Sequence, residues 1–398
     1  MSEDATRFEW ARPRTGDRDR VDRAPGRDPT RRTARDDRPP AGKLASGEPR
    51  TADGRPRVRT ATVDAATANS PSESDGSADP RVQFAYRGGG RFESRPVVCE
   101  GTVYLGCANG GTHAVDGDHG TERWSASARD RSTGPAVAGD VVCTATEQGT
   151  VAARDAATGR RRWEFEAAGR VQTAPTVADG SVLVATTDGH VTALHARDGS
   201  RLGTFRNAAR AVCSLAVAGE RVVLASLDGG AYAHDRTDGR EHWRFDPSVA
   251  VRDAPAVADG TAYLTTVDDG RACAISAVTG RLQWRADVSE SAWAAPTVAD
   301  GSAFVATTDG TVRALDAEDG ARRWRARVGG RLWASPTVAG ESVLVGDDAG
   351  TVTALDRDDG TTLWRYRTGA PVVAPVTVAE GTAYVADRSG TLTALSLP

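Results

Sequence analysis

The chain has 398 residues, of which 39% are hydrophobic and 26% charged, and a formal net charge of −4. This is the composition of a soluble protein, and so small a net charge gives no reason to expect nucleic acid or an acidic substrate. No run of about 18 apolar residues occurs, so no membrane span is expected.

Residues 1–80 are dense in Arg, Asp, Pro, Ser and Thr and show no apolar periodicity. Such a stretch cannot bury enough surface to offset its ordering entropy, so a disordered tail is expected. Its charge is positive from Ala11 to Thr60 and negative from Ala61 to Pro80. The arginines alternate with aspartates and lack interleaved aromatics, which favours a solvated tail over a nucleic-acid arm. The acidic start Met1-Ser2-Glu3-Asp4 has no apolar stretch behind it, unlike a secretory signal. Arg31-Arg32 resembles a twin-arginine signal, but Asp36, Asp37 and Pro39 stand where an apolar region belongs. The expected location is cytoplasmic, or exported or surface-associated if translation starts elsewhere.

Beyond residue 80 the chain repeats. Ala174-Pro175-Thr176-Val177-Ala178-Asp179-Gly180 returns as Ala295-Pro296-Thr297-Val298-Ala299-Asp300-Gly301. The same position recurs eight times, at Pro96, Pro135, Pro175, Leu215, Pro255, Pro296, Pro336 and Pro375, in steps of 39 to 41 residues. A fixed period of about 40 residues signals a repeat architecture. Each repeat carries three turn signals, as at Glu100-Gly101, Gly110 and Gly120. Between turns the pattern alternates, as in Thr351-Val352-Thr353-Ala354-Leu355, and this predicts four short antiparallel strands per unit. Eight such units predict an all-β, eight-bladed β-propeller over residues 81–398. Turn glycines every ten residues exclude a helical array.

Four residues after the third turn glycine stands Trp124, Trp163, Trp243, Trp284, Trp324 or Trp364; the third repeat has Gly203 instead. With the preceding residues, as in Ala314-Leu315-Asp316-Ala317-Glu318-Asp319-Gly320-Ala321-Arg322-Arg323-Trp324, this resembles the tryptophan-docking motif of the PQQ-repeat propellers, BamB-like branch. Each indole is expected to bridge to the next blade and donate its N–H to a backbone acceptor, while the motif Asp orders the turn. The eighth repeat ends without a fourth strand, and the unassigned strand Val82–Arg87 precedes the first. That strand is expected to complete the last blade, with Phe84 in the tryptophan role, so that the closed ring leaves no edge there.

The resemblance also raises a quinone-dependent dehydrogenase, whose members hold pyrroloquinoline quinone (PQQ) and calcium on long inserted loops, usually with a vicinal cysteine pair. Here the repeats carry no insertions, and Cys99, Cys107, Cys143, Cys213 and Cys273 are scattered. They read as small buried hydrophobes. The acidic turns lack the distal glutamate of a calcium loop, and the six histidines have no zinc spacing. No metal site, catalytic residue or cofactor is therefore expected, with quinone plus calcium kept as an alternative.

Departures from the repeat suggest the binding site. Three residues before the proline, at the rim of the central funnel, the repeats carry Glu93, Ser132, Gln172, Val212, Arg252, Trp293, Trp333 and Val372. Trp293 and Trp333 thus fall on adjacent blades outside the docking set. Arg91, Arg170, Arg210 and Arg331 stand two positions earlier. The residue before the proline is small throughout (Gly134, Ala174, Ser214, Ala254, Ala295, Ser335, Ala374) except Arg95, which is expected to project into the funnel. Trp293, Trp333, Arg252, Arg331, Arg95 and Glu93 form the candidate site, suited to a protein or peptide. The resemblance implies a non-catalytic, monomeric scaffold, since BamB-like members bind partner proteins in outer-membrane assembly. A small-ligand or sugar sensor is the other alternative.

Overall fold

Residues of alternating character make strands here because a glycine reverses the chain wherever a side chain would clash. In the first blade Gly110 and Gly120 adopt φ of 92° and 70°, a region that costs other residues steric strain. Together with the Glu100-Gly101 turn they separate strands Val97–Cys99, Thr102–Gly106, Thr112–Asp116 and Glu122–Ala126. The computed structural model describes residues 79–398, apart from 129, 208–211, 228–229, 247–249, 268 and 289–290. The expected tail over 1–80 lies outside the described residues but for its last two, and so does Arg210.

The described residues form eight four-stranded antiparallel sheets. The first strands of successive sheets are neighbours all round, and that of blade 8 (Thr377–Ala379) lies beside that of blade 1 (Val97–Cys99), so the first strands line the axis of a closed ring. Eight apolar clusters hold the ring, each joining two adjacent blades. Val141, Cys143 and Trp163 of blade 2, for example, meet Val182, Val184 and Leu194 of blade 3.

Five of the six docking tryptophans bond to the next blade. The indole N–H of Trp124, Trp163, Trp243, Trp284 and Trp324 donates to the carbonyl of Ala156, Ala196, Ala277, Ala317 and Arg357 on the next blade, at 2.8–3.0 Å. Trp364 is buried in the cluster between blades 7 and 8. Each indole faces a small residue across its own sheet, as Ala314 faces Trp324 and Ala354 faces Trp364. The strand pairing skips the residue before the indole. That bulge turns Arg123 to Asp116 at 2.8 Å and Arg323 to Asp316 at 2.8 Å. The motif aspartates also accept turn amides, as Asp356 does from Asp358 and Asp359.

Strand Arg81–Arg87 completes blade 8 beside Thr391–Ser396, with Phe84 opposite Ala394. A Cβ on Gly120 would lie 2.4 Å from the Phe84 ring, just as one on Gly159 would lie 2.6 Å from Trp124. Phe84 therefore takes the tryptophan position, and Gln83 the bulged one. Phenylalanine has no N–H to donate. At this seam the Tyr384 hydroxyl donates to the Gly117 carbonyl, at 3.1 Å, as Tyr104 and Tyr263 do beside the indoles at their own seams. Tyr86 adds a polar clasp, since its hydroxyl donates to Glu122 and lies 2.9 Å from His113 Nδ1.

One alignment of the repeats needs correction. Thr297 donates to the Pro336 carbonyl, Thr337 to that of Val376 and Thr377 to that of Pro96, each at 2.6 Å. Val376, not Pro375, is thus the eighth repeat's equivalent of the proline. The rim position of blade 8 is then Val373 rather than Val372, which is fully buried. The residue before it is Pro375 rather than Ala374.

Candidate rim site at the funnel mouth

The segments that lead into the first strands lie beside the turns between second and third strands. Backbone bonds fix this neighbourhood: the amides of Ala108, Thr187 and Asp348 donate to the carbonyls of Arg91, Arg170 and Arg331. The Glu147 amide donates likewise to Arg131. Arg131 therefore belongs to the same column, although counting back from Pro135 by the common offset lands on Asp130. The second repeat is one residue short at this point, and the deletion hid Arg131 from sequence comparison.

Three predicted residues come together on blades 5 to 7. The Trp293 and Trp333 rings meet edge to face with centroids 5.2 Å apart. The Arg252 guanidinium lies over the Trp293 ring, 4.3 Å from its centroid. Both indoles are half-buried, which leaves aromatic surface to solvent beside a cation held by the ring quadrupole. Arg331, two residues before Trp333, is exposed and makes no ion pair among the described residues. Its amide donates to the Asp348 carboxylate.

Glu93 sits elsewhere. It bridges Arg131 (2.5 Å) and Arg388 (2.9 Å), while Glu147 binds Arg131 (3.0 Å) and Arg170 (3.3 Å). An unbroken chain of ion pairs thus runs through blades 8, 1, 2 and 3. A polar cavity of about 330 Å³ lies between this arc and Arg252, with Ser94, Ser132, Thr133 and Gln172 also in its wall.

Arg95 is solvent-accessible yet walled by protein. Burial pulls its pKa below the ordinary value, and the charge of Asp253, on the blade halfway round the ring, opposes that shift. Asp253 itself accepts the amides of Ala254 and Ala295.

The acidic turns offer one compact group among the described residues, Asp116, Asp118 and His119. All three belong to a single turn, and Asp116 is already engaged by Arg123 and by the amides of Asp118 and His119. Those bonds hold its carboxyl far below the usual carboxylate range.

The profile of the family described as "Outer membrane protein assembly factor BamB" matches residues 108–224, 204–293, 228–331 and 308–397. No curated protein matches the chain. Among solved structures, BamB from Moraxella catarrhalis is similar with a TM-score of 0.69 at 20% identity, over 80% of this chain and 100% of that one. The computationally designed Ika8 protein is similar with a TM-score of 0.70 at 18% identity, over 78% of this chain and 99% of that one. At such identities the likeness is one of fold.

Proposed function

We propose that this chain, which belongs to the family described as outer membrane protein assembly factor BamB, is a non-catalytic propeller that binds a protein or peptide partner at its funnel mouth. The observation that carries this reading is the half-exposed ladder Arg252–Trp293–Trp333 across three adjacent blades. Aromatic and arginine side chains gathered at a concave mouth are the residue types that dominate binding energy in protein interfaces. The rigid ring holds them in place, so little ordering entropy opposes binding.

The donor set at the mouth does not suit quinone with calcium. Calcium takes six to eight oxygens at close range. Both glutamates in the cavity wall are bound to arginines, Glu93 to two and Glu147 to two. Cys107 and Cys273 are buried and far apart in sequence, which supplies no vicinal pair.

Affinity capture from native extract tests the proposal, using the full chain and its Trp293→Ala/Trp333→Ala variant. A protein held by the first and lost by the second supports binding at the mouth. Capture of the same protein by both places the interaction elsewhere. Capture by neither turns attention to small ligands.

A further inference from the structure

The mouth is chemically divided, and the division bears on the kind of partner. On blades 8, 1, 2 and 3 the arginines Arg131, Arg170 and Arg388 are each paired with Glu93 or Glu147, two carboxylates for three guanidiniums, while Arg91 and Arg95 make no ion pair among the described residues. On blades 5 to 7 the guanidiniums accompany indoles instead of glutamates. Arg252 stacks on Trp293 and makes no ion pair among the described residues, and the same holds for the guanidinium of Arg331. The carboxylates on the turn bonded to Arg331 are occupied by backbone: Asp347 accepts the amides of Gly330, Ala349 and Thr351, and Asp348 that of Arg331. Two guanidiniums without an ion pair among the described residues therefore flank two half-exposed indoles. Guanidinium against carboxylate is the strongest of the common charge-assisted pairings, and an indole already carrying a cation on its face favours apolar or aromatic neighbours over a further cation.

We infer that blades 5 to 7 take an acidic peptide segment in which an aromatic or large apolar side chain is flanked by carboxylates. The apolar side chain packs on Trp293 and Trp333, and the carboxylates pair with Arg252 and Arg331. This rests on the mouth being the binding face, as proposed above, and adds the sign of the partner's charge. A basic partner would bring cations toward Arg252 and Arg331, where like charges oppose docking.

Fluorescence anisotropy of the full chain tests the inference with three labelled peptides: Gly-Glu-Asp-Phe-Glu-Asp-Gly, its Gln/Asn counterpart and its Lys counterpart. The acidic peptide should bind about three- to tenfold tighter than the neutral one, as expected for two solvent-facing charge pairs, and should weaken as salt is raised. The Lys peptide should bind weakest. The Arg252→Gln/Arg331→Gln variant should lose the preference for the acidic over the neutral peptide. It alters only exposed side chains, and an unchanged melting temperature confirms its fold. No binding of the acidic peptide at about 1 mM, equal binding of acidic and Lys peptides, or an undiminished preference in the arginine variant overturns the inference. Captured partner separates the two levels. A partner lost by the tryptophan variant but held undiminished by the arginine variant leaves the mouth reading intact and refutes the acidic segment. A partner held by both variants refutes both.

Discussion

Ring closure rests heavily on one aromatic residue, and Phe84→Ala is the sharpest way to weigh it. Phe84 is 8% exposed. Its ring lies against Gly120 of blade 1 and 6.5 Å from that of Tyr384, within a cluster shared by blades 8 and 1. Truncating a buried phenylalanine costs roughly 3–5 kcal/mol, through lost transfer energy and the cavity left behind. For a domain of this size each kcal/mol lowers Tm by roughly 1.5 °C, so calorimetry should show a fall of roughly 4–8 °C. Two truncations bracket the effect. Removing residues 1–80 should leave Tm nearly unchanged. Removing 1–88 also takes away strand Arg81–Arg87, with Phe84 and Tyr86, and should lower Tm further and promote aggregation by exposing the edge of Thr391–Ser396. A Phe84→Ala protein melting within about 1 °C of the parent, or two truncations that behave alike, would refute closure by this strand.

Trp324→Phe should cost about 1–2 kcal/mol, because it keeps a ring over Gly360 but loses the bond to the Arg357 carbonyl. Trp324→Ala should cost about 3–5 kcal/mol; equal melting temperatures for the two variants would show that the ring contributes nothing. Burial lowers the pKa of His113 and of His234 below that of a free histidine. In each case the unfolded chain binds the proton more readily, so stability is full above about pH 6.5 and is lost as pH falls through the depressed folded values. Melting curves between pH 8 and 5 should show this loss and His113→Gln should reduce it; identical curves would contradict it. Burial pushes the Cys143 thiol up to about 12, so a thiol reagent at about pH 8 should label it only after unfolding, as mass spectrometry would report.

The ring was largely legible in the sequence because each part of it leaves a chemical mark. Turn glycines at positive φ set the strand count, and the eightfold recurrence of the proline position set the number of blades. Phe84 could be placed by counting, since its twelve-residue lead over Pro96 matches that of Trp163 over Pro175. Counting failed where the chain gains or loses one residue. In the eighth repeat Pro375 stands one place ahead of the position that Pro336 fills in the seventh, and the Thr337 bond to Val376 and the Thr377 bond to Pro96 reveal the shift. In the second repeat a deletion concealed Arg131. The Tyr384 bond at the closing seam was hidden for a different reason. It joins the two ends of the ring, and Tyr384 and Phe84 lie 300 residues apart in the chain.

The mouth was legible by position but not by partnership. Trp293 and Trp333 stood out as aromatics in a rim column and lie together in the ring. Nothing in the sequence separates the ion-paired Glu93 from the cation–π pair of Arg252 and Trp293, because both depend on which turn side chains cross between blades. The third blade adds a related case. With Gly203 in place of an indole, the buried Arg236 of blade 4 reaches Asp179 of blade 3 at 2.6 Å, and His234 stacks on Phe205 with centroids 4.5 Å apart. An apolar cluster including Leu183, Phe205, Leu215 and Tyr232 closes this seam without an indole, and the same cross-blade ion pair recurs as Arg357–Asp300 at 2.7 Å beside Trp324.

The measurement that bears most directly on the account is site-specific photocrosslinking in native extract, with the reactive side chain placed at Val373, beside Trp333 in the rim column, or at Asp358, on a third turn remote from the rim. The account predicts a discrete protein adduct from position 373, abolished by Trp293→Ala/Trp333→Ala, and none from position 358. An adduct from position 358 with none from 373 would contradict binding at the mouth.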